Sequence, residues 1–553
     1  MTTIATVTLP EGVQLPRYDR SQLRSRIVHF GFGAFHRAHQ ALLTDRVLNA
    51  GGGDWGICEI SLFSGDRLMS QLRQQDHLFT VLEKGAEGNQ PIVVGAVHEC
   101  LNAKLDSLAA IIEKFCEPQV AIVSLTITEK GYCIDPASGQ LDMTQPRIIH
   151  DLQNPTLPQS VPGILVEALA RRRQRGLPPF TVLSCDNIPD NGHVVKNAVL
   201  GMAEKRAPEL AQWIAEHVSF PGTMVDRIVP AATDESLAEI SATLGVEDPC
   251  AISCEPFIQW VIEDNFVAGR PDWETAGVQM TDDVLPWEQM KLRMLNGSHS
   301  FLAWLGYLAG HAHISDCMQD PIFRSAAYRL MLDEQAPTLS IQGVDLTAYA
   351  DSLIERFSNP ALKHRTWQIA MDGSQKLPQR MLEGIRVHLA RGSRWPLLAL
   401  GVAGWMRYVS GIDDAGNAID IRDPLADKMQ KRVAASDEHQ RVAALLTLEE
   451  IFGRDLPQNP QFVAHITAAW HQLAAFGARQ AIAGTLNAYQ FLPFSGQILL
   501  LSAVGLLFSP FFRQDSVTVT TLHLSWRKSD QNQFDHGVSR QRQDDVDSAS
   551  AGP

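Results

Sequence analysis

Through the first 285 residues, short apolar runs alternate with polar, glycine-containing breaks. Runs at 26–30, 55–61, 78–83, 92–99, 120–128, 180–185 and 220–229 have the length and composition of buried strands. Between them, 40–49 and 191–204 carry apolar residues at helical spacing. Strands alternating with helices predict a parallel sheet covered by helices. Past about residue 285 the strand pattern thins, and 319–334, 346–356, 382–390, 423–433, 440–451 and 462–486 read as helices. The pattern therefore predicts an α/β N-terminal domain over 1–285 and a mostly α-helical C-terminal domain over 286–486.

Residues 487–553 break the pattern. No charged residue occurs from Tyr489 to Phe512, and from Arg527 onward Gln, Ser and Asp dominate. The apolar stretch has the length of a marginal membrane span, but Pro493, Gly496, Gly505 and Pro510 interrupt it. It reads as an appended tail, apolar then polar, outside the fold. A membrane anchor and a docking element on the protein's own surface are the alternatives.

The first strand runs into Gly31-Phe32-Gly33-Ala34-Phe35-His36-Arg37, and the helix pattern follows. Strand, Gly-x-Gly turn and helix are the opening of a Rossmann-like unit. Glycines let the backbone turn tightly and approach a pyrophosphate, whose charge suits the helix N-terminus. His36 stands where the third fingerprint glycine would be, and His36 and Arg37 are expected beside the cofactor phosphates. An acid at or past the end of the second strand would hold a ribose hydroxyl; Glu59 and Asp66 are both candidates. Thr126, at the end of the 120–128 run, sits where such a sheet opens its ligand crevice.

A net charge of −15 over 553 residues argues against a nucleic-acid partner and leaves a small anionic substrate open. The 8 cysteines are scattered and read as buried free thiols. No metal is expected, because neither His36/His39 nor His311/His313 with Asp316 and Cys317 supplies a clear set of three spaced ligands. Met1–Arg20 lacks a basic region followed by an apolar run, so a cytoplasmic, reducing compartment is expected. A monomer or small homo-oligomer fits.

Lys-Leu-Arg-Met-Leu-Asn-Gly-Ser-His, 291–299, places an amine, a carboxamide and an imidazole on one broad helical face among leucines. An ordinary solvated helix face is the alternative. Asp226-Arg227, flanked by Met224, Val225, Ile228 and Val229, reads equally as a functional pair or a buried structural ion pair.

Gly31–His39, Thr126-x-Thr128-x-x-Gly131-Tyr132, Ser184-Cys-Asp-Asn187, Val225-Asp-Arg-Ile228 and Lys291-x4-Asn296-x2-His299, in this order, resemble the mannitol dehydrogenase family, the polyol-specific long-chain dehydrogenases/reductases. The resemblance spans about 25–486. It implies NAD-dependent, metal-independent oxidation of a secondary alcohol, reversible as ketone reduction. It assigns Lys291 as general base, Asn187 and Asn296 as an oxygen-polarising pair, and His299 as a substrate-orienting group. Asp226 and Glu288 are implied to connect the lysine to solvent. Lys376 matches the substrate-side lysine of Asp-Gly-Ser-x-Lys, whereas Gln368 replaces an arginine of the polyol branch. Within the family, 366–371 and 372–380 are most similar to the fructuronate reductase branch. That implies a sugar-acid substrate, the D-fructuronate/D-mannonate pair, whose carboxylate would meet His364, Arg365, Lys376 or Arg380. A mannitol or arabinitol dehydrogenase, a tagaturonate reductase and a non-catalytic NAD-binding protein are the alternatives.

Overall fold

Strand β1 (Arg24–Phe30) lies at the centre of a five-stranded sheet, with β2 (Trp55–Ser61) on one side. The strands β3 (Phe79–Gly85), β4 (Gly88–Val94), β5 (Val97–Asn102), β6 (Ile122–Leu125) and β7 (Thr181–Ser184) follow in the chain. The order in the sheet is β5-β2-β1-β6-β7, and every pair is parallel. This is the order of a nucleotide-binding half-sheet, with its crevice where β1 and β6 diverge. The computed structural model describes residues 2–490 except Phe63, Pro136 and Ala137.

One predicted strand divides. The apolar run 92–99 is continuous in sequence, yet the chain leaves one sheet at Gly95 and enters another. β3 and β4 form a hairpin that pairs with β9 (Ile252–Cys254). A third sheet holds β8 (Thr223–Asp226), β10 (Gln259–Glu263) and β11 (Gln279–Thr281).

The helices that build the site are these. α1 covers 34–49, with a π-helical turn at Arg37–Ala41. α2 is Asp66–Gln74. α3 covers 285–308, with a π-helical segment at Lys291–Gly297. α4 is Leu346–Ser358, α5 is Thr366–Ala370, and α6 covers 373–391 with a π turn at Pro378–Leu382. α7 (Pro396–Val409) is apolar almost all round and buried on nearly every side, against α3 and α8 (Pro460–Gln490). Each of its leucines contributes about 1.5–3 kcal/mol by leaving water.

The last helix continues past 486 to Gln490. Tyr489 packs on the helical core and its hydroxyl bonds the Glu334 carboxylate, so the first residues assigned to the tail belong to the fold. The rest of that tail, 491–553, lies outside the described residues. Among the described residues no helix is long and apolar enough to cross a membrane.

The two halves meet through charge. Arg356 of α4 binds both oxygens of Asp226, at 2.9 and 3.0 Å, and both oxygens of Glu255, at 2.8 and 3.0 Å. All three side chains are buried. Asp226 and Arg227 are therefore ion-paired, but not with each other: Arg227 turns to the Glu83 carboxylate and to the carbonyls of Ala38 and Glu255.

Candidate active site

Lys291 enters the junction between the halves. Its Nζ donates to Asn187 Oδ1 at 2.6 Å and to Val225 O at 2.5 Å. Asn187 follows β7 and Val225 lies in β8, so both acceptors come from the α/β half. Only 5% of Lys291 is exposed. Burial lowers its pKa to about 8, with Arg380 and Arg356 adding to the effect and Asp226 opposing it. An amine at that value exchanges a proton near neutrality.

The crevice is narrow, about 50 Å³, and Asn187, Glu288, Lys291, Gln379 and Arg380 are among its walls. Glu288 accepts from the Asp190 N–H at 3.1 Å, and burial raises its pKa. Behind this lining lie Asn296 and His299. The His299 ring stacks on Phe357 at 5.0 Å and meets His364 edge-on at 4.7 Å. Burial keeps it neutral, reinforced by His364 and Arg380, and its Nε2 has no partner.

Around Arg380 the charges are one-sided. Its Nη1 donates to Ser300 Oγ at 3.0 Å and to Asn296 O at 3.4 Å, while its buried Nε has no partner. Burial lowers its pKa to about 10. Lys376 donates to Ile369 O and Met371 O at 3.0 and 2.5 Å, and burial followed by Arg380 lowers its pKa to about 8. Neither cation meets a carboxylate among the described residues. Gly297 makes this arrangement possible: a Cβ there would stand 2.8 Å from Gln335 Nε2 and 2.9 Å from Arg380 O. Three π-helical turns meet at this point, Lys291–Gly297, Pro378–Leu382 and Leu330–Gln335.

One expected substrate residue stands elsewhere. Arg365, next to His364 in sequence, is exposed and lines a different hollow, because the segment is extended there and neighbours face opposite ways. Asp226 is held below the usual carboxylate range by Arg356, which outweighs its burial. With both oxygens on a buried guanidinium it anchors the domain junction, near enough to Lys291 to act on that amine's pKa. Gln368 is exposed on α5. Arg356, Glu255, Phe357 and Gln379 carry no sequence signal that sets them apart from ordinary helix or loop residues.

The Gly31 turn lies beside the end of β6. Thr126 Oγ1 donates to Gly31 O at 3.0 Å. Gly31 has φ of +109°, and a Cβ would collide with Thr126 O. Gly33 is the N-cap of α1, and no side chain caps that end. The first N–H groups of α1, at Ala34, Phe35 and His36, thus lack helical acceptors. This cradle fits a phosphate.

The side chains of the same motif do not face it. Phe32 packs edge-on against Phe79, and Phe35 stacks on His39. His36 is buried, with Nε2 2.5 Å from Glu59 Oε1 and its ring 3.4 Å above His29. Arg37 donates to Cys250 O at 2.5 Å and Gly33 O at 3.2 Å. Neither side chain is directed at the cradle. Glu59 is wholly buried with its carboxyl turned to His36; burial raises it to about 7 and lowers His36. Asp66 is exposed at the start of α2, 3.0 Å from Lys104. His29, His36 and Glu59 have ligating atoms within 4.8 Å of one another, but both His29 nitrogens are engaged, by Ser124 at 2.7 Å and Thr126 at 2.9 Å. All eight cysteines are free and buried.

Residues 25–275 match the mannitol dehydrogenase Rossmann domain, and 283–474 match the mannitol dehydrogenase C-terminal domain. The chain is 80% identical over 487 residues to the uncharacterized oxidoreductase YeiQ of Escherichia coli, covering 88% of this chain and 100% of that protein. It is 59% identical over 486 residues to the D-mannonate oxidoreductase of the same organism, covering 87% and 100%. Among solved structures, the Pseudomonas fluorescens mannitol 2-dehydrogenase ternary complex with NAD and D-mannitol is similar at 42% identity and a TM-score of 0.77, covering 87% of this chain and 98% of that one. With both domains matched in order and a relative of this identity covered along its whole length, the chain belongs to the mannitol dehydrogenase family and is an oxidoreductase.

Proposed function

We propose that this protein is an NAD-dependent oxidoreductase that interconverts D-fructuronate and D-mannonate. One observation carries the sugar-acid reading: Arg380 and Lys376 stand together, largely withdrawn from water, and among the described residues no carboxylate touches either, Asp372 and Asp423 acting on Lys376 only from a distance. Such a pair is completed by an anionic ligand, which a neutral hexitol does not supply. The 59% relative, named a D-mannonate oxidoreductase, supports the same substrate class.

The uncapped start of α1 and the Gly31–Gly33 turn support a dinucleotide, with Asp66 as the acid for its ribose. A nicotinamide dinucleotide held there would supply the hydride acceptor for the carbinol carbon in oxidation and the hydride donor for the ketone in reduction. The protein's own part is to move the proton. Neutral Lys291 accepts the hydroxyl proton during oxidation, and its ammonium form returns it during reduction. Asn187 gives its oxygen to Lys291 and keeps its amide N–H groups for the reacting oxygen. Asn296 and neutral His299 add polar groups beside it. Glu288, in the crevice wall, is the carboxylate that passes the proton outward.

The test is a substrate panel with NADH on the full chain and on Arg380→Ala. D-Fructuronate is expected to exceed D-fructose in kcat/KM, and the variant to lose roughly ten- to a hundredfold on the uronate alone. Preference for D-fructose overturns the sugar-acid reading, while preference for D-tagaturonate moves it to the other keto-uronate.

A further inference from the structure

The helical half holds a second hollow, larger than the crevice, at about 330 Å³. The two share no lining residue. Tyr307, His311, His313, Arg365, Trp367 and Asp413 line it. It lies at the far end of α3 from His299, about 12 Å along the helix axis for the eight residues to Tyr307. A volume of this size admits a monosaccharide.

Its chemistry is not that of an idle surface dent. Arg365 is exposed, and among the described residues no acid or other group partners its guanidinium. His311 leans edge-on against Phe323 with its ring nitrogens unpartnered. Only His313 is tied, its Nδ1 lying 3.2 Å from Asp316 Oδ2. The one acid in the lining, Asp413, is occupied by its own turn, accepting from Ala415 N, Asn417 N and Asn417 Nδ2 at 3.0, 2.7 and 3.0 Å. The guanidinium of Arg422 stands 5.3 Å from the Trp367 ring centroid, and its own charge is met by Asp420 at 2.8 Å, which leaves Arg365 as the cation open to an anion. An aromatic wall beside an unpaired guanidinium takes a ring that carries an anion.

The wall itself supplies a second observation. The segment Lys363–Asp372 begins and ends on non-glycine residues in the left-handed region, with φ of +46° and +55°. The inner side of the segment places His364 against His299 and two carbonyls on Lys376; the outer side presents Arg365 and Trp367.

We propose that this hollow is a second binding site, for an anionic monosaccharide, with the sugar ring against Trp367 and Tyr307 and the anion on Arg365. Its carboxylate and phosphate forms share this chemistry and are separated by the probes. Equilibrium dialysis of the full chain would use radiolabelled D-glucuronate and D-glucose 6-phosphate, on wild type, Arg365→Glu, Trp367→Ala and Arg380→Ala. Arg365→Glu changes an exposed residue, and its thermal midpoint is expected to match wild type.

In wild type, at least one probe is expected to show a bound anion that Arg365→Glu removes and Trp367→Ala weakens by about tenfold. That anion persists in Arg380→Ala, and Arg365→Glu keeps its turnover of D-fructuronate. Glucuronate alone assigns a carboxylate site, glucose 6-phosphate alone a phosphate site, and both a general one. If neither probe binds wild type, or Arg365→Glu binds as much of each as wild type, the proposal is overturned. A crevice that fails the uronate panel while Arg365-dependent binding persists sinks the proposed substrate and leaves this site standing.

Discussion

Gly31–Gln40 and Lys291–His299 are both short, both include a π-helical turn, and both are rich in groups able to do chemistry. They use those groups in opposite ways. In the first, the backbone faces the crevice and the side chains turn inward: His36 to Glu59, Arg37 to Cys250 O, His39 to Gln259 O, and Gln40 to Ser124. In the second, Lys291 reaches out of its helix to the other half of the protein, and His299 keeps a buried nitrogen free. The difference teaches where to look for function. His36, His39 and Gln40 each keep one buried nitrogen without a partner as well, so what separates the two stretches is direction: side chains turned into their own half hold the scaffold, whereas one that reaches the crevice meets what binds there.

The largest test of this contrast is Lys291→Ala. It is expected to lower kcat by roughly 10²–10⁴-fold, with an unchanged circular dichroism spectrum. Turnover at the wild-type rate would place Lys291 among the scaffold groups instead.

The pH profile comes next. Ketone reduction uses the ammonium form of Lys291, so its kcat should be level below about 8 and fall above it, by about tenfold per unit. Oxidation uses the neutral amine and should rise through the same value to a plateau. Lys376, also near 8, acts on binding, so its loss of charge should appear as a rising KM for the uronate. A profile flat from pH 6 to 10 in both directions breaks the assignment.

Gly31→Ala probes the backbone side of the comparison. Left-handed backbone costs a non-glycine residue roughly 1–2 kcal/mol, before the collision with Thr126 is counted. KM for NADH should rise about tenfold or more while KM for the uronate stays put. Equal changes in both would mean that the turn supports the whole crevice.

The smallest effect is expected at Glu59→Gln. It should lower stability by about 1–3 kcal/mol, read from the denaturation midpoint, and leave kcat and both KM values near wild type. A selective rise in KM for NADH would return Glu59 to the cofactor site.

Much of this was legible along the chain, for identifiable reasons. The β1 turn and α1 announce themselves because glycine spacing and strand-to-helix change are local properties. Lys291, Asn187 and Glu288 do come together, as the ordered motifs imply. The direction in which a side chain points was not legible. His36 and Arg37 sit at a helix start in sequence, but the wider π-helical turn beginning at Arg37 and the burial of Glu59 send them inward. His364 and Arg365 are adjacent, and only the extended backbone, bridged to His313, puts one in the site and the other outside it. Asp226 found its partner 130 residues away in α4, a distance over which periodicity says nothing.

The π-helical segment in α3 has one more consequence. Its wider turn carries an extra residue, so Trp287 on one side and His299 on the other are out of phase by comparison with an unbroken α-helix. Lys291 opens the segment and Asn296 lies near its close. The spacing of the motif is therefore a property of chain length as much as of residue type. Deleting Leu292, Met294 or Leu295 alone would leave the amine, carboxamide and imidazole present and a helix intact, yet turn the two ends of the motif to different walls.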